Sequence, residues 1–121
     1  MILVDTSVWV DHFRRGDSTL SSLLDAGRVL SHPFVIGELA LGGLRQREQV
    51  LGALKDLPQA QSASAEEVLA FIDHQSLAGK DLGYVDAHLL AAARLTPGAA
   101  LWTRDRRLSS VAERLGLAAA V

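Results

Sequence analysis

The chain has 121 residues, 49% of them apolar, with no cysteine and a net charge of −2 from 12 basic and 14 acidic residues. Without cysteine, disulfides, thiolate metal sites and cysteine nucleophiles are excluded, and any metal must be held by oxygen or imidazole. The length fits one domain over residues 1–121, and the balanced charge lacks the basic excess of a typical nucleic-acid binder.

A mean hydropathy of +0.19 is high for so small a domain, which predicts a surface covered by a partner. No apolar run approaches transmembrane length, and no basic stretch precedes an apolar one at the N-terminus. The expectation is a cytoplasmic protein with no membrane contact.

In chain order, Ile2-Leu3-Val4 is a continuous apolar run, as in a strand buried on both faces of a parallel sheet. Asp5 ends it, and Thr6-Ser7 offer cap hydroxyls for a helix through Val8, Trp9, Val10 and Phe13. Gly16-Asp17-Ser18 breaks that helix, and Asp17 or Ser18 caps a second one carrying Leu20, Leu23 and Leu24. Gly27 suits a left-handed helix end, and 28–31 reads as a short strand. Pro33 opens a helix containing Glu38, and Gly42-Gly43 closes it.

Residues 46–57 form the next predicted helix, and 60–63 a further strand. Ser64 and Glu67 then match a capping box for a helix carrying Val68, Leu69, Phe71 and Ile72. After the loop Asp81-Leu82-Gly83, residues 84–95 read as a helix stopped by Thr96-Pro97-Gly98. A strand over 99–103, a helix over 107–115 and an apolar stretch over 117–121 follow. Strands alternating with helices imply a three-layer α/β/α domain around a parallel sheet of about four or five strands.

Four acids stand at strand ends or among apolar neighbours: Asp5, Glu38, Asp86 and Asp105. Asp5 and Asp105 follow the two most apolar strands, at the sheet edge where open α/β folds bind ligands. Asp86 lies in the first turn of its helix, where a negative charge also suits the helix dipole. Glu38 is set among Val35, Leu39 and Leu41, where a charge is costly. Such a cluster repels itself unless a cation neutralises it, and magnesium or manganese suits an all-oxygen donor set.

Asp5-Thr6-Ser7, the helical Glu38, the run Val85-Asp86-Ala87-His88-Leu89-Leu90 and Leu101-Trp102-Thr103-Arg104-Asp105 together resemble a PIN domain, and more narrowly a VapC-type toxin. The resemblance spans the whole chain and includes the order of the four acids. It implies that Asp5, Glu38, Asp86 and Asp105 are the catalytic metal-binding set, with Ser7 and Thr103 as supporting hydroxyls. It further implies a Mg2+- or Mn2+-dependent endoribonuclease, often acting on transfer RNA, a VapB-type antitoxin partner, and a homodimer. Tyr84 departs from the smaller or more polar residue expected beside the third acid.

Other residues read as structural. His12, His32, His74 and His88 show no metal-ligand spacing, Asp81 reads as a loop or capping group, and Asp11 and Asp73 as surface charges. Trp9 and Phe13 read as core, and partial exposure would make them a partner stripe. Arginine supplies 10 of the 12 basic residues, clustered at 14–15, 45–47 and 104–107, and its planar head matches phosphate better than lysine does. A phosphoacceptor receiver domain is the alternative enzyme-free reading. It requires an acid pair after the first strand and a late lysine, whereas Asp5 precedes Thr6 and Ser7 and no lysine follows Lys80. A catalytically idle binding module of the same fold is the third.

Overall fold

The computed structural model describes residues 1–121. The elements are β1 (Ile2–Val4), α1 (Thr6–Arg15), α2 (Ser18–Asp25), β2 (Val29–Leu30), α3 (Pro33–Leu41), α4 (Arg47–Asp56), α5 (Ala65–His74), α6 (Tyr84–Leu95), β3 (Ala100–Trp102) and α7 (Arg106–Arg114). The strands form one parallel sheet in the order β2-β1-β3. Leu3 and Val4 on the central strand are completely buried, which requires helices over both faces of the sheet. Helices α3 and α4 pack together with α1 against α3, while α5 lies on α6 and α6 against β3.

The sheet is narrower than the sequence predicts. Gln59 and Ala118 each make a single parallel bridge, to Ser31 and Leu101, and neither extends into a strand. Around Gln59, Ser31 donates to the Pro58 carbonyl and Ala60 to that of Ser31 before the chain leaves for the Ser64 cap. The chain near Ala118 likewise exchanges hydrogen bonds with Leu101 alone. One pair of bonds anchors each segment without setting a strand's repeat.

The core joins Leu3, Val4, Val8, Leu20, Val35, Leu89, Leu90, Leu101 and Leu108, all fully or nearly fully buried. Removing such side chains from water is worth about 1.5–3 kcal/mol each. Helix ends follow local chemistry. Asp17 accepts from the Leu20 N–H at 2.9 Å, Ser64 and Glu67 form the expected capping box, and Gly27 adopts a left-handed φ of 66°. The apolar face of α5 is narrower than predicted, because Leu69 is exposed while Val68 is buried.

Candidate active site

Register decides which residues meet at the sheet edge. Val4 pairs with Trp102 across β1 and β3, and the Asp5 N–H donates to the Trp102 carbonyl at 2.9 Å. The residue alongside Asp5 is therefore Thr103. Asp105, predicted to end its strand level with Asp5, instead lies beyond a short bend and caps α7. Its Oδ1 accepts from the N–H groups of Arg107 and Leu108 at 2.9 and 3.0 Å.

Asp5 occupies the N-cap position of α1 but makes no capping bond. Its carboxylate, 6% exposed, turns towards β3. Oδ2 accepts from the Thr103 hydroxyl at 2.7 Å and from the Ser7 hydroxyl at 2.9 Å. Each hydroxyl also accepts a backbone N–H, Thr103 from Asp105 at 3.1 Å and Ser7 from Arg104 at 3.0 Å. The two backbone donors thus orient both hydroxyl protons onto one carboxylate oxygen. Such charge-assisted bonds offset the burial of Asp5. Thr6 and Ser7, expected to cap α1, lie inside its first turn and serve side chains instead.

The Thr6 hydroxyl donates to Glu38 Oε1 at 2.7 Å, tying α1 to α3. Glu38 is exposed, so the cost of placing it near an apolar face is largely avoided. Asp86, at the third position of α6, accepts the Gly83 N–H at 3.0 Å through Oδ2. Its carboxyl is raised above the ordinary aspartate range, first by burial and then by the negative charges of Asp5, Asp105 and Glu38, against the opposing Gly83 bond. Asp86 on α6 is thus within electrostatic reach of the three other acids, which come from the end of β1, from α3 and from the β3–α7 bend.

Three of them begin helices: Asp5 α1, Asp86 α6 and Asp105 α7. The positive ends of three helix dipoles stabilise negative charge here, about 0.3–1 kcal/mol each in exposed settings. No three of the acids and histidines come close enough together to enclose a metal ion by themselves.

The cluster nevertheless fits a hydrated magnesium or manganese ion. Its donors are all hard oxygens, no basic side chain hydrogen-bonds to any of the four acids, and Asp86 registers their uncompensated charge. Magnesium is commonly held through one or two carboxylates with waters completing its shell.

Arg104, beside Asp105 in the chain, is occupied elsewhere. Arg104 pairs with Asp11 at 2.6 Å and with Asp17, and its guanidinium lies 5.7 Å from the centre of the Trp102 ring. Asp11, expected to be a surface charge, pairs with Arg104 and with Arg15 at 3.5 Å. The Arg104 hydrogen bond accordingly lowers the Asp11 carboxyl. Asp81 lies in the loop before α6 with a left-handed φ of 59°. His88 is buried, with its ring 4.5 Å from that of Phe34 and 4.6 Å from that of Tyr84. Tyr84 itself projects outward, 49% exposed. Trp9 is buried, while Phe13 stacks on it and stays 38% exposed.

Sequence reasoning missed the link from Thr6 to Glu38 and the cap made by His32, whose Nδ1 accepts the Phe34 N–H at 3.0 Å. The signal for the second was present, since a histidine directly before Pro33 stands where an N-cap belongs.

A short parallel sheet bearing a carboxylate cluster at its carboxyl edge is the arrangement the PIN domain resemblance implies, and the family profile "PIN domain" matches residues 2–114. Ribonuclease VapC32 of Mycobacterium tuberculosis, from strain CDC 1551 / Oshkosh and from strain ATCC 25618 / H37Rv, is 47% identical over 120 residues. The match covers 99% of this chain and 97% of the relative. The chain belongs to the PIN domain family, among its VapC-type members.

Proposed function

We propose that this VapC-type toxin is an endoribonuclease that hydrolyses RNA phosphodiester bonds with Mg2+ or Mn2+ held by Asp5, Glu38, Asp86 and Asp105. The observation that carries the reading is the way the fold holds the four carboxylates at the carboxyl edge of the sheet, Asp5 by Ser7 and Thr103, Glu38 by Thr6, Asp86 by Gly83 and Asp105 as the cap of α7, with no basic side chain bound to any of them. When bound, the divalent ion supplies an activated water and charge stabilisation for the departing oxygen.

The chain's own residues prepare that chemistry. Ser7 and Thr103 fix the Asp5 carboxylate through Oδ2, which leaves Oδ1 without a protein hydrogen bond. Thr6 steers Glu38 in the same way, and Gly83 holds Asp86. Transfer RNA is the substrate class that the family suggests.

The chain works in the cytoplasm as a homodimer and is neutralised by a VapB-type antitoxin. The antitoxin sets a basic side chain among the four acids in place of the cation. No helix is long and apolar enough to cross a membrane.

The test is cleavage of total cellular RNA by wild type, Asp5→Asn and Asp105→Asn, each with Mn2+ and with chelator. Loss of cleavage in both variants and on chelation, with unchanged circular dichroism, is the expected result. Cleavage by Asp5→Asn at the wild-type rate refutes the assignment. For inhibition, basic residues in the antitoxin's C-terminal half are replaced singly. If none weakens inhibition, the block is steric.

A further inference from the structure

We infer that the groove between α1, α3 and α4 is the subsite for the RNA strand next to the cleaved phosphate, with Arg14 and Arg45 as its phosphate contacts and Phe13 as its base-stacking surface. This rests on the ribonuclease reading above. The groove encloses about 730 Å3, and Thr6 and Glu38 form part of its wall, so it meets the carboxylate cluster at Glu38. A strand whose scissile phosphate lies at the acids must continue across a neighbouring surface, and this groove adjoins them through Glu38.

Its chemistry suits a single-stranded nucleic acid. Arg14 and Arg45 line it, both exposed, and neither pairs with a carboxylate of the chain. This distinguishes them from Arg104, which two aspartates hold. Phe13 lies on the same wall with its ring stacked 5.7 Å from that of Trp9 at 25°, a rigid backing for a further ring. Gln46 adds an amide at the α4 end. Non-specific single-strand binding combines these parts: cations that follow the backbone and aromatic rings that accept any base. An apolar floor alone would equally suit a protein helix. The two uncompensated guanidinium groups beside an acidic centre that must receive a phosphate decide for RNA, since each nucleotide brings the charge they lack.

The experiment measures binding of a fluorescent single-stranded RNA pool of random sequence to the full chain in chelator, across a salt series, so that cleavage does not intervene. Arg14→Ala and Arg45→Ala should each weaken binding about tenfold and reduce the slope of log affinity against log salt by about 0.7, the loss of one phosphate contact on a single strand. Phe13→Leu should weaken binding about tenfold with the salt slope unchanged, because stacking releases no counterions. Arg28→Ala, before β2 and thus at the opposite end of the strands, should change neither. With Mn2+, the arginine variants should raise KM about tenfold and keep kcat.

Unchanged affinity and slope in both arginine variants, while wild type binds and cleaves, overturns the inference and leaves the groove to a protein segment. Absence of both RNA binding and RNA cleavage by wild type overturns it together with the ribonuclease reading.

Discussion

His32 makes the stability of the fold depend on pH, with a magnitude set by its surroundings. It is 1% exposed, caps α3 by accepting the Phe34 N–H on Nδ1, and therefore carries its one proton on Nε2, which finds no acceptor. Burial first, and the nearby charge of His88 second, lower its pKa from 6.5 to about 4. A second proton would have to enter at Nδ1, breaking the cap and burying a cation. The folded pKa lies below the unfolded one, so on acidification the unfolded chain takes up its proton first. The stabilisation is thus complete above the unfolded value and drains as pH falls from 6.5 towards 4.

At 1.36 kcal/mol per unit, the full span is worth about 3 kcal/mol, of which about 2 is lost between about pH 7 and pH 5. His32→Asn is the matching perturbation, because asparagine caps a helix well and does not titrate in this range. Urea denaturation followed by circular dichroism, at about pH 7.5 and pH 5 for both proteins, reads the difference. Wild type should lose about 2 kcal/mol more than the variant over that interval. Equal losses would show that His32 protonates as easily folded as unfolded, and would refute the reasoning.

Other expectations follow from the acid cluster and the core. Asp86 is raised, so its ionised form costs stability, and Asp86→Asn should raise the melting temperature in chelator while keeping the Gly83 bond. Magnesium at ten times its dissociation constant should stabilise wild type by about 1.4 kcal/mol and the variant clearly less; equal shifts in thermal melts would exclude Asp86 as a ligand. Thr103→Val removes one of the two hydroxyls that orient Asp5, and should lower RNA cleavage about ten- to a hundredfold with Mn2+ at saturation. Undiminished turnover would show that Asp5 needs no such support. Leu89→Ala, at a fully buried position of α6, should cost about 2–5 kcal/mol in urea denaturation, and a loss near zero would contradict the packing described.

What the sequence determined by itself are the features that local chemistry dictates. Ile2-Leu3-Val4 could only be a strand buried on both sides, the Ser64–Glu67 box starts α5, and Thr96-Pro97-Gly98 ends α6 where its turn residues require. The four acids were legible as a set because each stands where a charge needs a reason: at a strand end, at a helix start, or among apolar neighbours. The tertiary structure alone decided how they are held. Register places Thr103, rather than Asp105, beside Asp5, because Val4 pairs with Trp102 and the strand ends there, two residues short of the level Asp105 would need. That pairing draws the Asp5 carboxylate and the Ser7 hydroxyl away from capping α1. Sheet width was also undetermined, because an apolar pair such as that around Gln59 or Ala118 becomes a strand only if its neighbour continues alongside it. The partnering of Arg104 with Asp11 and Asp17, and the freedom of Arg14 and Arg45, depend likewise on side chains brought together from distant parts of the chain, and no local pattern carries that information.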